Sequence, residues 1–323
     1  MTILVTGATG LVGNNLVRML LERGDAVRVL VREGSDPRPL EGLEVELRHG
    51  DIRDESAVLR AMDGIEAVLH AAGHVHIGWT GTEMQRAINV DGTRHVAVAA
   101  LAADAQMVHV SSVDALGIGA KEQPADEESP VQGKVPCGYV LTKRDAEVVL
   151  QESIAQGLFA PIVNPGFMLG PWDWKPSSGR MLLAVAKTFT PLAPDGGCSV
   201  CDVRDVCRGI LTALERGQSG RRYVLAGENL SFFEFWQQLA KRSGGSPPFG
   251  HAGKLLPWIA GRMGDLMGKL SGKEGDVNSA SVQVSNQFHF YSSTRAQQEL
   301  DYQNRPLEET IRDAWEWFQD HGY

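Results

Sequence analysis

Short apolar runs alternate with longer segments of helical periodicity through the first half of the chain. Each run is short enough to form one β-strand, and a helix is predicted from about residue 85 to residue 102. Such alternation predicts an α/β fold with a doubly wound parallel sheet of the Rossmann type, whose ligands bind at the carboxyl ends of the strands. The runs fall at residues 3–5, 26–31, 45–47, 67–71, 106–111 and 161–164.

The alternation ends after Gly166. Tryptophan, proline and glycine concentrate at residues 171–179, and residues 222–226 are a candidate strand. The sequence SFFE at 231–234 has the pattern of a capping box, so a helix is predicted to begin within residues 228–231. Two further expectations are a loop at 243–253 and an amphipathic helix at 307–318.

This change of pattern predicts two parts. A dinucleotide-binding domain is expected at residues 1–165, and residues 195–226 are expected to return partly to it. Residues 166–323 are expected to form mainly a smaller C-terminal substrate-binding domain with a lid.

Residues 254–270 are strongly apolar at helical spacing. A helix that lies on a membrane surface usually has a strongly cationic polar face, which Arg262 and Asp265 do not provide. We therefore interpret the segment as a pocket lid or a buried helix, with a membrane-surface helix as the alternative.

Composition and charge narrow the functional classes. The 323 residues are 43% hydrophobic and 22% charged, which is typical of a globular protein with an ample core. The formal net charge of −9 argues against binding to nucleic acid or to anionic membranes. No basic and apolar leader precedes the first strand, and no uncharged apolar run reaches the ~20 residues of a membrane span. A cytoplasmic protein is expected.

Histidine and cysteine spacing raises the question of a metal. Cys198 and Cys201 are separated by two residues, but no second pair of ligands accompanies them. His74 and His76 likewise lack an evident third ligand. We predict structural cysteines, a reducing compartment and no metal site.

Three glycines follow the first strand and begin the first helix. Gly7 can form a tight turn, Gly10 permits close approach of a pyrophosphate, and Gly13 permits close packing of helix and strand. The helix N-terminus then presents free N–H groups to an anion. The alternative is a tight turn that binds no ligand.

Tyr139 and Lys143 lie four residues apart and therefore share one face of a predicted helix. An ammonium beside a phenol is expected to lower the pKa of the tyrosine and to suit it to proton transfer. Ser112, at the end of a predicted strand, is positioned to orient a carbonyl or alcohol oxygen.

Together these motifs resemble the extended short-chain dehydrogenase/reductases, also called the NAD-dependent epimerase/dehydratase family. Similarity is greatest to the dihydroflavonol-reductase-like branch, which includes hopanoid-associated sugar epimerases. The matching sequences are TGATGLVG at 6–13, GDIRD at 50–54, HAAG at 70–73, NVDGT at 89–93, HVSS at 109–112, YVLTK at 139–143, NPG at 164–166 and CDVRDV at 201–206.

The resemblance implies catalytic roles for Ser112, Tyr139 and Lys143, with Tyr139 as general acid or base and Lys143 on the nicotinamide ribose. It implies substrate contacts by His74, Asp114 and Asn164. The aromatic side chains of Phe167 and Trp172 are interpreted as lining an apolar substrate pocket, with ordinary core packing as the alternative. The resemblance further implies cofactor contacts by Tyr139, Lys143, Gly7, Thr9, Gly10, Leu11, Val12, Arg32, Asp51, Ile52, Ala71, Ala72, Gly73, Pro165, Gly166 and Met168.

The end of the second strand bears on the choice of cofactor. An acidic residue there favours NAD, whereas this chain has Arg32, which can pair with the 2′-phosphate of NADP. NADP is therefore predicted, with NAD as the alternative if Glu33 faces the ribose instead.

Three functions remain open. The first is hydride transfer between NADP(H) and a ketone, aldehyde or secondary alcohol of a largely apolar small molecule. The second is epimerisation or dehydration of a nucleotide sugar with tightly bound NAD, although residues 284–291 lack the arginine pattern usual for that class. The third is a dinucleotide-binding regulator. Relatives often dimerise through helices flanking Tyr139, so residues 146–150 are a candidate homodimer contact.

Overall fold

The computed structural model describes all residues 1–323. Its regular elements begin with a strand and end with a helix. The strands are β1 Thr2–Thr6, β2 Ala26–Val31, β3 Glu46–His49, β4 Ala67–His70, β5 Gln106–Val110, β6 Ile162–Pro165, β7 Phe167–Leu169, β8 Leu192–Ala193, β9 Gly197–Asp202, β10 Arg222–Leu225, β11 Glu228–Ser231, β12 Gly250–His251 and β13 Phe288–His289. The helices are α1 Leu11–Glu22, α2 Glu55–Met62, α3 Thr82–Arg86, α4 Gly92–Ala102, α5 Gly138–Ile154, α6 Gly179–Lys187, α7 Val203–Arg216, α8 Phe232–Ser243, α9 Leu255–Ser271, α10 Ser279–Ser285, α11 Thr294–Leu300 and α12 Leu307–Asp320.

Seven strands form the central sheet in the order β3-β2-β1-β4-β5-β6-β10, and every neighbouring pair is parallel. One face packs against α1, α7 and α11, and the other against α2, α4 and α5. Because both faces are covered, the central strands β1, β4 and β5 are nearly continuous buried runs, whereas the edge strand β3 is exposed. The predicted doubly wound parallel sheet is confirmed.

The C-terminal part contains a smaller sheet built on β9, which pairs antiparallel with β11 and parallel with β7 and β13. Its apolar core packs against α6, α8 and α12. The chain leaves β9 into α7, which begins at the Asp202 cap, and then returns to the central sheet as β10. Residues from both parts therefore meet along one edge of the central sheet.

Two predicted elements differ from the structure. Residues 228–231 form strand β11, paired antiparallel with β9, so the helix prediction there is wrong. The capping box itself is present and starts α8 at Phe232. The helix predicted at 85–102 begins at Thr82 and contains a π-helical segment, Ala87–Asp91, between α3 and α4.

The segment predicted as a lid or a buried helix is α9, and the buried alternative is wrong. Only Gly261 in this helix is buried. Gly264 and Gly268 also face the protein, where they contact the backbone of Val277 and Glu274. No helix of the protein is long and apolar enough to span a bilayer. Eight exposed residues form what we call the apolar face of α9: Leu255, Leu256, Trp258, Ile259, Met263, Leu266, Met267 and Leu270.

The structure also bears on the candidate dimer contact and on the cysteines. Among residues 146–150 on α5, only Val148 is exposed, at 62%, so most of this candidate dimer contact belongs to the interior of the chain. Cys198 and Cys201 both lie in β9, and all four cysteines are buried and free.

Glycine is required where β1 turns into α1. Gly7 has a φ of +74°, and a Cβ there would lie 2.7 Å from the backbone of Ala71. A Cβ on Gly13 would lie 2.2 Å from the Gly7 carbonyl oxygen, so the first turn of α1 packs directly on the loop. Gly10 caps α1 with a φ of −94° and has more room.

We therefore expect Gly13→Ala to lower the free energy of unfolding by about 1–3 kcal/mol, because backbone must move to admit a methyl group. Gly10→Ala is the matched control and should cost no more than about 1 kcal/mol through the poorer cap. Urea unfolding measures both. Equal losses in the two variants would contradict this account of the loop.

Candidate active site

A cleft lies at the carboxyl ends of β1, β2 and β4, where the parallel strands present their loops and α1 its N-terminus. Its cavity volume is about 250 Å³. Leu30, Val31, Gly50, Ile88 and Ala8 complete its wall. The predicted cofactor residues that it brings together are Gly7, Thr9, Gly10, Arg32, Asp51, Ile52, Ala71, Ala72 and Gly73, and His74, predicted as a substrate contact, lines the same cavity.

Positive charge predominates at one end of this cleft. Arg32 lies there with Lys175 and Ser35, neither of which the sequence analysis singled out as a contact. Asp51 is held by Arg53, whose hydrogen bonds at 2.7 and 3.0 Å keep the pKa of the carboxyl below its usual value. Glu33 is exposed and lies outside the cavity lining. The arrangement suits an anionic group beside Arg32.

Seven predicted cofactor residues do not line this cavity, and two of them, Tyr139 and Lys143, lie on α5. Leu11 and Val12 pack their side chains into the core beneath α1, so only their backbone N–H groups face the cleft end of the helix. Pro165 ends β6, Gly166 packs against the Ser199 carbonyl oxygen, and Met168 lies in β7 paired with Cys201.

Tyr139 and Lys143 lie on the first two turns of α5, and both are buried. The Lys143 Nζ donates to the Val110 carbonyl oxygen at 3.1 Å and lies beside Gly73 of the cleft wall. Burial lowers the pKa of Lys143 to about 8, and Glu147 opposes that shift. The ammonium therefore lies where the dinucleotide cleft meets Tyr139.

The expected lowering of the Tyr139 pKa is wrong for this structure. Burial raises the pKa of the phenol well above its usual value, and the negative charge of Asp114 adds to the effect. The Ser112 hydroxyl acts in the opposite direction, but burial dominates. The phenol is therefore held in its protonated form.

Ser112 lies two residues after the end of β5, beside a buried ion pair. Its hydroxyl accepts a hydrogen bond from the Asp114 backbone N–H at 3.1 Å. The Lys134 ammonium donates to Asp114 at 2.7 Å and to the Val113 carbonyl oxygen at 2.9 Å. Burial lowers the pKa of Lys134, and burial with the Lys134 charge lowers that of His289 to about 4. Asp114, a predicted substrate contact, thus lies beside Tyr139, but its carboxylate is already paired with Lys134.

A second buried network holds α5 against the sheet. Glu147 accepts hydrogen bonds from Ser111, from Asn164 at 2.8 Å and from Arg222 at 2.6 Å. Asn164 also donates to the Ser112 carbonyl oxygen at 3.0 Å and is fully buried. Asn164 thus holds the Ser112 carbonyl through its amide N–H groups, its Oδ1 has no hydrogen-bond partner, and its predicted substrate contact stays a prediction.

The two aromatic residues predicted to contact substrate are partly buried and pack against the C-terminal core. Phe167 packs edge-on against Phe235 with ring centroids 5.7 Å apart. Trp172 lies under the Arg18 guanidinium at 3.4 Å and packs against Trp317, so it joins α1 to α12. Neither lines the dinucleotide cavity, because the smaller sheet has its own apolar core.

Two of the residues missed from sequence carried a readable signal. Glu147 continues the four-residue spacing of Tyr139 and Lys143 and so falls on the same helix face. Lys175 lies inside a Trp-Lys-Pro sequence in the tryptophan-rich segment. Nothing local marks Lys134 or His289, which reach the site only through tertiary packing.

The loop after β4 is held at two places, by Asn89 of the π-helical segment and by Glu274 in the segment after α9. Asn89 in the π-helical segment accepts from the His74 N–H at 2.7 Å and donates to its carbonyl oxygen at 3.1 Å. Glu274 accepts from His76, from the Trp79 N–H at 3.0 Å and from Thr80 at 2.7 and 2.9 Å. These bonds outweigh burial and lower the pKa of Glu274 to about 2.

Glu274→Gln should therefore lower the free energy of unfolding by about 1.5–3 kcal/mol, because hydrogen bonds to a charged acceptor are lost. A depressed carboxyl pKa stabilises the fold above the unfolded value of 4.5 and ceases to do so as pH falls toward 2. The difference between the two proteins should thus shrink over that range in urea titrations. Glu44→Gln, at an exposed glutamate, is the control, and a pH-independent difference would contradict the assignment.

Comparison with known proteins was made on sequence and on structure. Residues 3–226 match the NAD dependent epimerase/dehydratase family. The chain is 35% identical to a putative dihydroflavonol 4-reductase of Synechocystis, over 99% of this chain and 95% of that one. It is 32% identical to sterol demethylase protein B of Methylococcus capsulatus, over 100% and 99%. The crystal structure of gox2253 superposes with a TM-score of 0.86 at 34% identity and covers 99% of this chain and 98% of its own.

Proposed function

The chain belongs to the NAD-dependent epimerase/dehydratase family, and from that premise we propose an NADP(H)-dependent oxidoreductase. It transfers hydride between the nicotinamide and a ketone, aldehyde or secondary alcohol of a largely apolar small molecule. The observation that carries the proposal is the position of Lys143 beside Gly73 of the cleft wall, with Tyr139 one helical turn away and Ser112 beside the Tyr139 hydroxyl.

The residues present fit a dinucleotide. Gly7, Thr9 and Gly10 line the cavity at the N-terminus of α1, where free N–H groups would face a pyrophosphate. Ile52 and Asp51 would hold the adenine end, and Lys143 the ribose near the nicotinamide. The cofactor supplies or accepts the hydride when bound.

The protein supplies the proton. Tyr139 is the proposed proton donor in the direction of reduction, and burial keeps its phenol protonated at Oη by raising the pKa. The Ser112 hydroxyl orients the substrate oxygen toward Tyr139. Lys143, with a pKa of about 8, is mostly cationic at neutral pH and stabilises the phenolate left after proton transfer.

Charge at the cleft end supports NADP over NAD. Arg32 and Lys175 approach from the two parts of the chain and line one cavity with Ser35, a set suited to a 2′-phosphate. The nearby acidic group, Asp51, is already paired with Arg53, and Glu33 does not face the cavity.

The relatives support a reductase acting on an apolar compound. One is named as a putative dihydroflavonol 4-reductase and another as a sterol demethylase protein, both named for ring compounds without a nucleotide. A nucleotide-sugar epimerase would need cations for a diphosphate. The segment 284–291 has none, and Arg262 and Lys269 lie beside Trp79 and Thr80 rather than in the dinucleotide cavity.

Tyr139→Phe should bind NADPH normally and lose turnover by about 10²–10⁴-fold, because the proton donor is removed while the ring stays. The measurement is loss of NADPH absorbance with a panel of apolar carbonyl compounds. Tyr302→Phe is the matched control. The buried Tyr302 hydroxyl has no hydrogen-bond partner, and the residue packs with α11 on the face of the central sheet opposite α5.

Unchanged turnover in Tyr139→Phe would remove the catalytic assignment. A protein that carries NAD through purification and interconverts a nucleotide sugar without net cofactor consumption would instead establish the epimerase alternative. Binding of dinucleotide without conversion of either substrate class would favour the regulatory alternative.

Arg32→Gln and Lys175→Gln should each weaken NADPH binding by about 10–100-fold and leave NADH binding unchanged, because only the phosphate loses a charged partner. Titration of reduced-cofactor fluorescence measures both affinities. Glu33→Gln is the control and should change neither. An equal loss for both cofactors, or tighter NADH binding by the unaltered protein, would contradict NADP recognition at this end of the cleft.

A further inference from the structure

The orientation of α9 is the reverse of that of a helix on a globular surface. Such a helix normally buries its apolar stripe and exposes its polar one. Here Gly261, Gly264 and Gly268 face the protein, whereas the apolar face of α9 is open, with Leu270 81% and Leu255 69% exposed. A continuous exposed apolar patch of this kind marks an interaction surface.

The charges around this face have one sign. Lys254, Arg262, Lys269 and Lys273 are exposed within and beside the helix. The acidic residue of the helix, Asp265, turns inward and accepts the Ser279 N–H at 2.9 Å.

The acidic residues that follow the helix are also engaged. Glu274 is turned inward and held by the loop at 76–80, and Asp276 is paired with Arg180 at 2.7 Å. Arg262 lies 4.0 Å from Asp265, and the three lysines have no acidic partner along α9, although the whole chain carries a net charge of −9. Charges farther away than a Debye length of about 8 Å have little influence on a charged surface that α9 contacts.

From this geometry we propose that the apolar face of α9 binds an anionic lipid membrane, with the helix lying flat in the interface. The helix is about 26 Å long, and its apolar side chains would enter the acyl region while the cations meet lipid phosphates. Trp258, with Arg262 beside its ring at 5.9 Å, is a residue typical of the membrane interface. The binding proposal rests on α9 alone and does not depend on the reaction proposed above.

A second copy of the chain is the competing occupant. The centre of a protein interface is depleted of lysine, and the cations here flank the apolar residues along the length of the helix instead of standing apart from them. Arg262 and Lys269 also line a cavity of about 530 Å³ with Trp79, on the flank where headgroups would lie. These features favour lipid.

The position of α9 places this surface near Tyr139. The helix packs on α10, and Ala280 of α10 shares one small buried cluster with Tyr139, Cys137 and Val140. One layer of structure therefore separates the membrane-binding face from the phenol. An apolar substrate dissolved in the bilayer would need to travel only this distance.

Co-sedimentation with vesicles tests the proposal. The purified full chain should pellet with phosphatidylcholine vesicles containing phosphatidylglycerol, less with phosphatidylcholine alone, and less again at high salt. The double variant Leu266→Ser/Met267→Ser should bind at least about 100-fold more weakly, because two apolar side chains no longer enter the acyl region. Lys269→Gln/Lys273→Gln should lose about tenfold or more, and only on anionic vesicles.

The matched control is Leu59→Ser/Met84→Ser, which removes a leucine and a methionine of comparable exposure from α2 and α3. It should bind like the unaltered protein. Absence of binding to anionic vesicles, or equal binding by the Leu266→Ser/Met267→Ser variant, would overturn the proposal. A dimer in sedimentation velocity that this variant dissociates would also overturn it, by assigning the face to a second copy.

Discussion

The buried carboxylate of Glu147 is the constraint on which the site depends. A carboxylate removed from water is costly unless its oxygens are satisfied. Here Arg222, Asn164 and Ser111 all donate to it. These three donors come from β10, from β6 and from the residue after β5, so α5 cannot shift or rotate without leaving a buried charge unpaired. Because β10 enters the sheet only after the chain has built β9 and α7, the C-terminal half fixes the helix that carries Tyr139 and Lys143.

The same constraint explains the protonation states. Tyr139, Lys143 and Glu147 occupy successive turns of one helix face. The packing that brings Glu147 to its donors therefore also removes the other two side chains from water. Burial opposes the charged form of each group. It lowers the pKa of Lys143 and raises that of Tyr139, and in the free structure no ammonium contact reverses the effect on the phenol.

The sequence was sufficient wherever local rules decide the structure. Strand–turn–helix patterning predicted the parallel sheet and the glycine loop, and the capping box marked the start of α8, because each depends on residues a few positions apart. The strand β11 was missed because its partner β9 is remote in sequence. Lys134 and His289 were missed for the same reason. The pKa of Tyr139 was predicted from its helical neighbour alone, whereas burial, a tertiary property, determines its direction.

Periodicity alone also left open which side of α9 faces the protein. An amphipathic pattern specifies two faces, and the usual rule assigns the apolar one to the core. Here the packing distance decides otherwise. A Cβ on Gly264 would lie 1.9 Å from the Val277 carbonyl oxygen, so only a side-chain-free stripe fits against the 274–279 backbone. That close approach turns the leucine and methionine residues outward, and the folded chain keeps an apolar surface that water alone would not favour.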